Sequence, residues 1–135
     1  MGTAVHALLL FTGWAFVLVA TIFAYRGLRI LGGTASNSWP RGVKNTGDAG
    51  LVTRIADAHA NTLENLPIFA VLVLSAVALN KTAVTDPLAM YVVYARLGQS
   101  TAHLLGTGPL LVTVRATFWA AQLVVFGLMF YGLLH

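Results

Sequence analysis

Residues 54–79, RIADAHANTLENLPIFAVLVLSAVAL, join two chemistries in one uninterrupted run. The second half, Leu66 to Leu79, is 14 almost wholly apolar residues, fewer than the ~20 that a hydrocarbon core requires. The polar half must therefore enter the membrane zone with it. On a helix turning 100° per residue, Arg54, Asp57, Asn61 and Glu64 fall at about 0°, 300°, 340° and 280°, a stripe about 80° wide. His59, at about 140°, points elsewhere, toward a neighbouring helix or the interface. A charge at the bilayer centre costs on the order of 2.5 to 3.5 kcal/mol on insertion scales, so Asp57 and Glu64 are expected to face inward, toward partners.

The whole chain supports a membrane reading. Of 135 residues, 58% are hydrophobic and 9% charged, where a soluble domain carries about a quarter charged. Long apolar runs at 4–25, 51–79, 87–105 and 109–134 predict helices over 4–28, 49–79, 87–105 and 109–134. Backbone exposed to lipid must satisfy its own hydrogen bonds, so the expected fold is all-α: a single four-transmembrane-helix bundle filling residues 1–135.

No Lys or Arg precedes the first run, and Arg26 and Arg29 follow it, which marks a retained helix rather than a cleaved signal. Arg26, Arg29, Arg41, Lys44 and Arg54 lie in or beside the first loop, whereas Lys81 in the second is offset by Asp86. Loop one is thus expected on the cytoplasmic side with the Gly106-Thr107-Gly108 turn, and both termini outside. The net charge of +4 arises mostly from these flanks, so no nucleic-acid partner is expected. With no cysteine there is no disulfide, thiolate metal site or protein-borne sulfur nucleophile. His6, His59, His103 and His135 lack i, i+4 pairing, so no metal site is expected. Neither a serine triad nor a phosphate-binding glycine loop is present.

Between the helices, LGGTASNSWPRGVKNTGDAG at 31–50 is the long connection, either shaping a site or serving as a flexible link. In NKTAVTDP, Asp86 is expected to cap the third helix and Pro87 to start it; Pro109 starts the fourth. Asn80-Lys81-Thr82 fits the glycosylation pattern, a short and weak match. Gly127 and Gly132 read as close-packing positions.

Partners for the acids come from the later helices. Arg96, Gln99, Ser100 and His103 share one face of the third, and Arg115 lies on the fourth. The tight turn between these helices brings His103 and Arg115 to the depth of Arg54 and Asp57, with Glu64 and Arg96 deeper, in reach of an ion pair. Structural salt bridges are one reading of this set, and snorkelling another for Arg54. Asn61, Glu64 and Arg96 together favour a ligand site. Pro67, by removing the bond to the Leu63 carbonyl, is expected to kink the second helix just past Glu64. Small proton-coupled exporters also have four helices and a membrane carboxylate, but theirs lies in the first helix, where this chain has none.

At RIADAHANTLENLPIF and at ARLGQSTAH with VRATFWA, the chain resembles the MAPEG family, membrane-associated proteins of eicosanoid and glutathione metabolism that include microsomal glutathione transferases. The resemblance extends over length, helix number, the polar first loop and both motifs in order. It implies a homotrimer with glutathione sites between protomers, open to the cytoplasm and laterally to lipid; a bacterial member would lie in the inner membrane. It assigns Asn61 and Glu64 to glutathione, Glu64 toward its amino group, and Arg96 to that carboxylate and the tripeptide. It assigns Arg115 to the neighbourhood of the sulfur, Arg26 and less closely Arg29 to the adjacent subunit's glutathione, and Arg54 to the mouth of the second helix. Gln99 shares the Arg96 face and is counted with the glutathione contacts. Ala60 and Asp57 stand where some members have basic residues, and His103 stands where many have tyrosine. The implied reaction is thiolate attack on a lipophilic electrophile or a lipid hydroperoxide, with glutathione as co-substrate, Arg115 and His103 catalytic, and no metal. A non-catalytic MAPEG-like binding protein is the alternative.

Overall fold

The structure, a computed structural model, describes residues 2–43 and 47–135. It contains four helices, α1 (Thr3–Leu31), α2 (Gly50–Ala78), α3 (Thr82–Leu105) and α4 (Pro109–Leu134), and no strand among the described residues. By length and composition α1, α2 and α4 can cross a membrane. At 24 residues α3 is about 36 Å long, enough to span, but polar side chains lower its hydropathy. Three of them, Arg96, Gln99 and Ser100, are buried inside the bundle. The polarity of α3 is thus turned away from its surroundings.

Both α2 and α3 pack against all the other helices, while α1 and α4 do not meet. The apolar core fills the end of the bundle nearest Asn80. Phe11, Phe69 and Phe126 form a line of rings with centroids 5.5 and 6.0 Å apart, flanked by Val73, Val92 and Met129. Within a bilayer such a core is held by packing more than by release from water, so small residues matter. A Cβ on Gly98 would meet the Phe118 ring at 2.6 Å, and one on Gly132 would meet Val84 at 2.7 Å. These two glycines let α3 and α4 approach. Gly127 has nothing within 4 Å, so the close-packing expected there is absent within the protomer.

The α2–α3 connection departs from expectation. Asn80 adopts φ 55°, with Asn80 N–H on Val77 O and Lys81 N–H on Ala76 O, a Schellman turn that closes α2 in two residues. Helix α3 can therefore begin at Thr82 rather than at 87, and Pro87 lies inside it. Asp86 does not cap α3. Its Oδ1 accepts the Ala4 N–H at 2.7 Å and so caps α1. Lys81 Nζ donates to Leu133 O at 3.1 Å, tying down the end of α4. Helix α1 runs past 28 to Leu31, where Gly32 and the positive-φ Gly33 end it. Pro109 starts α4 as expected, and α2 continues through Pro67 as one helix.

Loop one folds back on the end of α1. Asp48 accepts from Arg29 Nη1 at 3.0 Å and from Trp39 Nε1 at 2.8 Å, and lies 3.8 Å from Arg26. The Arg26 guanidinium stands over the Trp39 ring at 5.4 Å, and Tyr25 OH accepts the Ala49 N–H. Lys44 lies outside the described residues.

Candidate active site

A groove of ≈ 590 Å³ opens between α2, α3 and α4. That is within the ~300–1,000 Å³ usual for small-molecule sites. Asp57, Asn61 and Glu64 line it from α2, and Gln99 and His103 from α3. Thr107 comes from the turn, and Val112, Arg115, Ala116 and Trp119 from α4. Three of the four members of the polar stripe thus share one wall. The stripe does not face the bundle core, however: Asp57 and Glu64 are exposed and Asn61 is half-buried. The core-facing side of α2 is Ala58, Thr62, Asn65 and Phe69, spaced at four, three and four, and burying it rotates the charged stripe to the groove at the bundle edge.

Behind this wall lies a closed ring of side chains from three helices. Arg96 Nη1 donates to Asn61 Oδ1 at 2.6 Å, and Nη2 donates to Gln122 Oε1 at 2.9 Å. Gln122 Nε2 donates to Gln99 Oε1 at 2.8 Å, and Gln99 Nε2 returns to Asn61 Oδ1 at 3.0 Å. Arg96 is 1% exposed and Gln122 0%, so these bonds replace water that neither side chain can reach. The Phe11 ring covers the guanidinium at 5.4 Å, while Arg96 Nε is buried without a hydrogen-bond partner. The expected ion pair between Arg96 and Glu64 does not form among the described residues. Two amide oxygens, from Asn61 and Gln122, satisfy the guanidinium fork instead, and the Glu64 charge acts on it only through space.

Residues 3–135 match the family description "MAPEG family", which is essentially the whole chain. The chain belongs to the MAPEG family. No curated protein and no solved structure matches it.

In this MAPEG protein the predicted site residues divide into two groups. Asn61, Glu64, Gln99, His103 and Arg115 are brought together at the groove, and Arg96 sits directly behind Asn61. The charges of Arg115, Asp57 and Arg96 all act on His103. Arg54, Arg26 and Arg29 are elsewhere. Arg54 Nε donates to Leu104 O at 3.0 Å, capping the end of α3, and Arg26 and Arg29 engage Asp48 and Trp39 beyond α1. Neither arginine lines the groove, and α1, which carries both, does not touch α4. None of the described residues of loop one lines it either, so no site-shaping role for the loop is seen among the described residues.

Five residues of the site, Thr107, Val112, Ala116, Trp119 and Gln122, escaped the sequence reading. Gln122 was the detectable one, an uncharged polar side chain within an apolar span, seven residues after Arg115 and so on nearly the same face. The other four have no such signal. Chemically the groove pairs two carboxylates with one lining guanidinium on the opposite wall, beside an apolar strip of Val112, Ala116 and Trp119. It can hold a small zwitterion against an oily molecule.

Proposed function

We propose that this MAPEG protein is an integral-membrane glutathione transferase with peroxidase-type activity, working as a homotrimer in the inner membrane with loop one cytoplasmic. The observation that carries the reading is the groove itself, with Glu64 and Asn61 on one wall, Arg115 across from them and an apolar strip alongside. Glu64 takes the tripeptide's ammonium, and Asn61 offers a donor three residues away on the same face. Arg115 stands at the sulfur. A cysteine thiol has a pKa near 8.5, so holding it as thiolate at neutral pH asks for about two units, or roughly 2.7 kcal/mol. A guanidinium in a groove bordered by lipid supplies charge stabilisation of that size.

The thiolate attacks the electrophilic carbon of a lipid-soluble substrate, the S–C bond forms, and the leaving group departs with its electron pair. With a lipid hydroperoxide the sulfur takes the distal oxygen, releasing the alcohol, and a second glutathione reduces the sulfenic acid to disulfide and water. His103, which lines the same groove, donates a hydrogen bond to the sulfur in this proposal. One protomer's groove carries a single lining guanidinium for a ligand with two carboxylates. Arg26 of an adjacent protomer completes the charge balance in this proposal.

The test is an ultraviolet difference spectrum of purified protein with glutathione. A thiolate band is expected, lost in Arg115→Ala, together with conjugation of a lipophilic electrophile. Binding with no thiolate band and no effect of Arg115→Ala returns the non-catalytic binding protein. Failure to bind glutathione, with Glu64-dependent proton-coupled transport in vesicles, returns the exporter.

A further inference from the structure

Arg96 has donors only, and this single fact sets the direction of every bond in the ring behind the groove. Its Nη2 must meet the oxygen of Gln122, which turns the Gln122 nitrogen to Gln99. Gln99 must accept there with Oε1, so its nitrogen faces Asn61. Asn61 Oδ1 then receives two donors, from Gln99 and Arg96 Nη1. No other arrangement of the three amides satisfies every bond of the ring. The amide of Asn61 has its oxygen held by two donors of the ring, its Nδ2 takes no part in the ring, and Asn61 also lines the groove.

We infer that Gln122, fully buried and outside the groove, is a positioning residue: Arg96 already holds Asn61 Oδ1 directly, and Gln122 turns Gln99 so that a second donor locks the same oxygen and Asn61 presents a hydrogen-bond donor to the ligand. The groove accordingly takes an oxygen acceptor, a carboxylate or carbonyl, beside the ammonium held by Glu64. This deepens the proposed function by fixing which atom faces Asn61, and the choice of ligand rests on that reading. The ring's polarity does not.

Gln122→Glu separates relay from packing. The glutamate keeps the volume and still accepts from Arg96, so a purely structural role predicts a protein of undiminished stability and function. It cannot donate to Gln99. Gln99 must turn its nitrogen to the new carboxylate and confront Asn61 Oδ1 with an oxygen, and Asn61 loses one of the two donors that hold it.

The first readout needs no ligand. In detergent-solubilised protein carrying ¹⁵N-asparagine and ¹⁵N-glutamine, the Asn61 side-chain amide, identified by its disappearance in Asn61→Asp, is expected to shift in Gln122→Glu although residue 122 does not touch it. An unchanged Asn61 signal in a folded variant overturns the inference. The second readout is steady-state kinetics with glutathione, where KM is expected to rise about tenfold with kcat nearly unchanged, the signature of a lost ground-state contact. A matching fall in kcat, or no change, goes against the relay. If wild-type protein fails to bind glutathione, the proposed function falls while the amide signal still decides the inference. Gln122→Met, which deletes both ring bonds and the bond from Nε2 to Phe118 O, is expected to shift the same signal, and a folded Gln122→Met with unmoved Asn61 resonances counts against the relay.

Discussion

At the scale of single residues, Arg96 and Arg115 make opposite contributions to the site. Arg96 is buried and holds two amide oxygens in a fork, whereas Arg115 is half-buried at the groove and makes no hydrogen bond within the described protein. Lysine in place of Arg96 can present its charge but cannot span both oxygens in one plane. Arg96→Lys is therefore expected to cost about 1–3 kcal/mol in stability, from one lost charge-assisted bond and an acceptor left buried. Arg115→Ala should stay within about 0.5 kcal/mol of wild type while losing the thiolate band. Unfolding midpoints in detergent check the contrast, and equal losses for the two variants would sink it. The sequence disclosed which residues were polar, and at membrane depth that was enough to single out Asn61, Glu64, Arg96 and Arg115. It did not disclose their pairing. Opposite charges suggested Arg96 with Glu64, but the choice among acceptors depends on how three helices are rotated against one another. A neutral Gln122 wins that competition because it is buried where Arg96 is, while Glu64 remains at the open edge.

At the scale of elements, helix number and approximate length follow from hydropathy alone, because crossing a bilayer fixes both the length and the composition of the run. Angular position on α2 also carried over: Asp57, Asn61 and Glu64 fall on one wall as their angles require. The ends of helices were less legible. Asp86 before Pro87 has the local pattern of a cap followed by a first helical position, yet its carboxylate serves an N–H 82 residues away. Nothing local distinguishes a residue that caps its own helix from one that caps a neighbour. The consequence is testable. Asp86→Ala leaves α3 intact but removes the acceptor from the start of α1, with an expected loss of about 0.5–2 kcal/mol. Hydrogen exchange in detergent should accelerate at the first turn of α1 and stay unchanged at Thr82 to Thr85. Faster exchange confined to α3 would restore the local cap.

At the scale of the whole molecule, one protomer leaves its charges unevenly placed. Its groove holds Asp57 and Glu64 against one lining guanidinium, while Arg26 and Arg29 stand near the C-terminal end of α1, a helix that does not meet α4. Large apolar side chains such as Phe16, Phe23, Leu110 and Val124 remain exposed on α1 and α4. Lipid or neighbouring protomers must cover them. In the homotrimer we propose, the α1 end of one subunit meets the groove of the next, and each site draws on two chains. Arg26→Ala and Arg115→Ala should then each abolish most conjugating activity alone, for different reasons and in different protomers. Co-assembled from equal amounts, the two defective chains should restore about a quarter of the wild-type sites, because a site is whole only when an Arg115-bearing groove meets an Arg26-bearing neighbour. A site contained in one protomer gives no restoration at any mixing ratio. Activity of the mixed assemblies, measured against each variant alone and against unmixed wild type, therefore decides whether the excess basic charge beside α1 belongs to the site of another subunit.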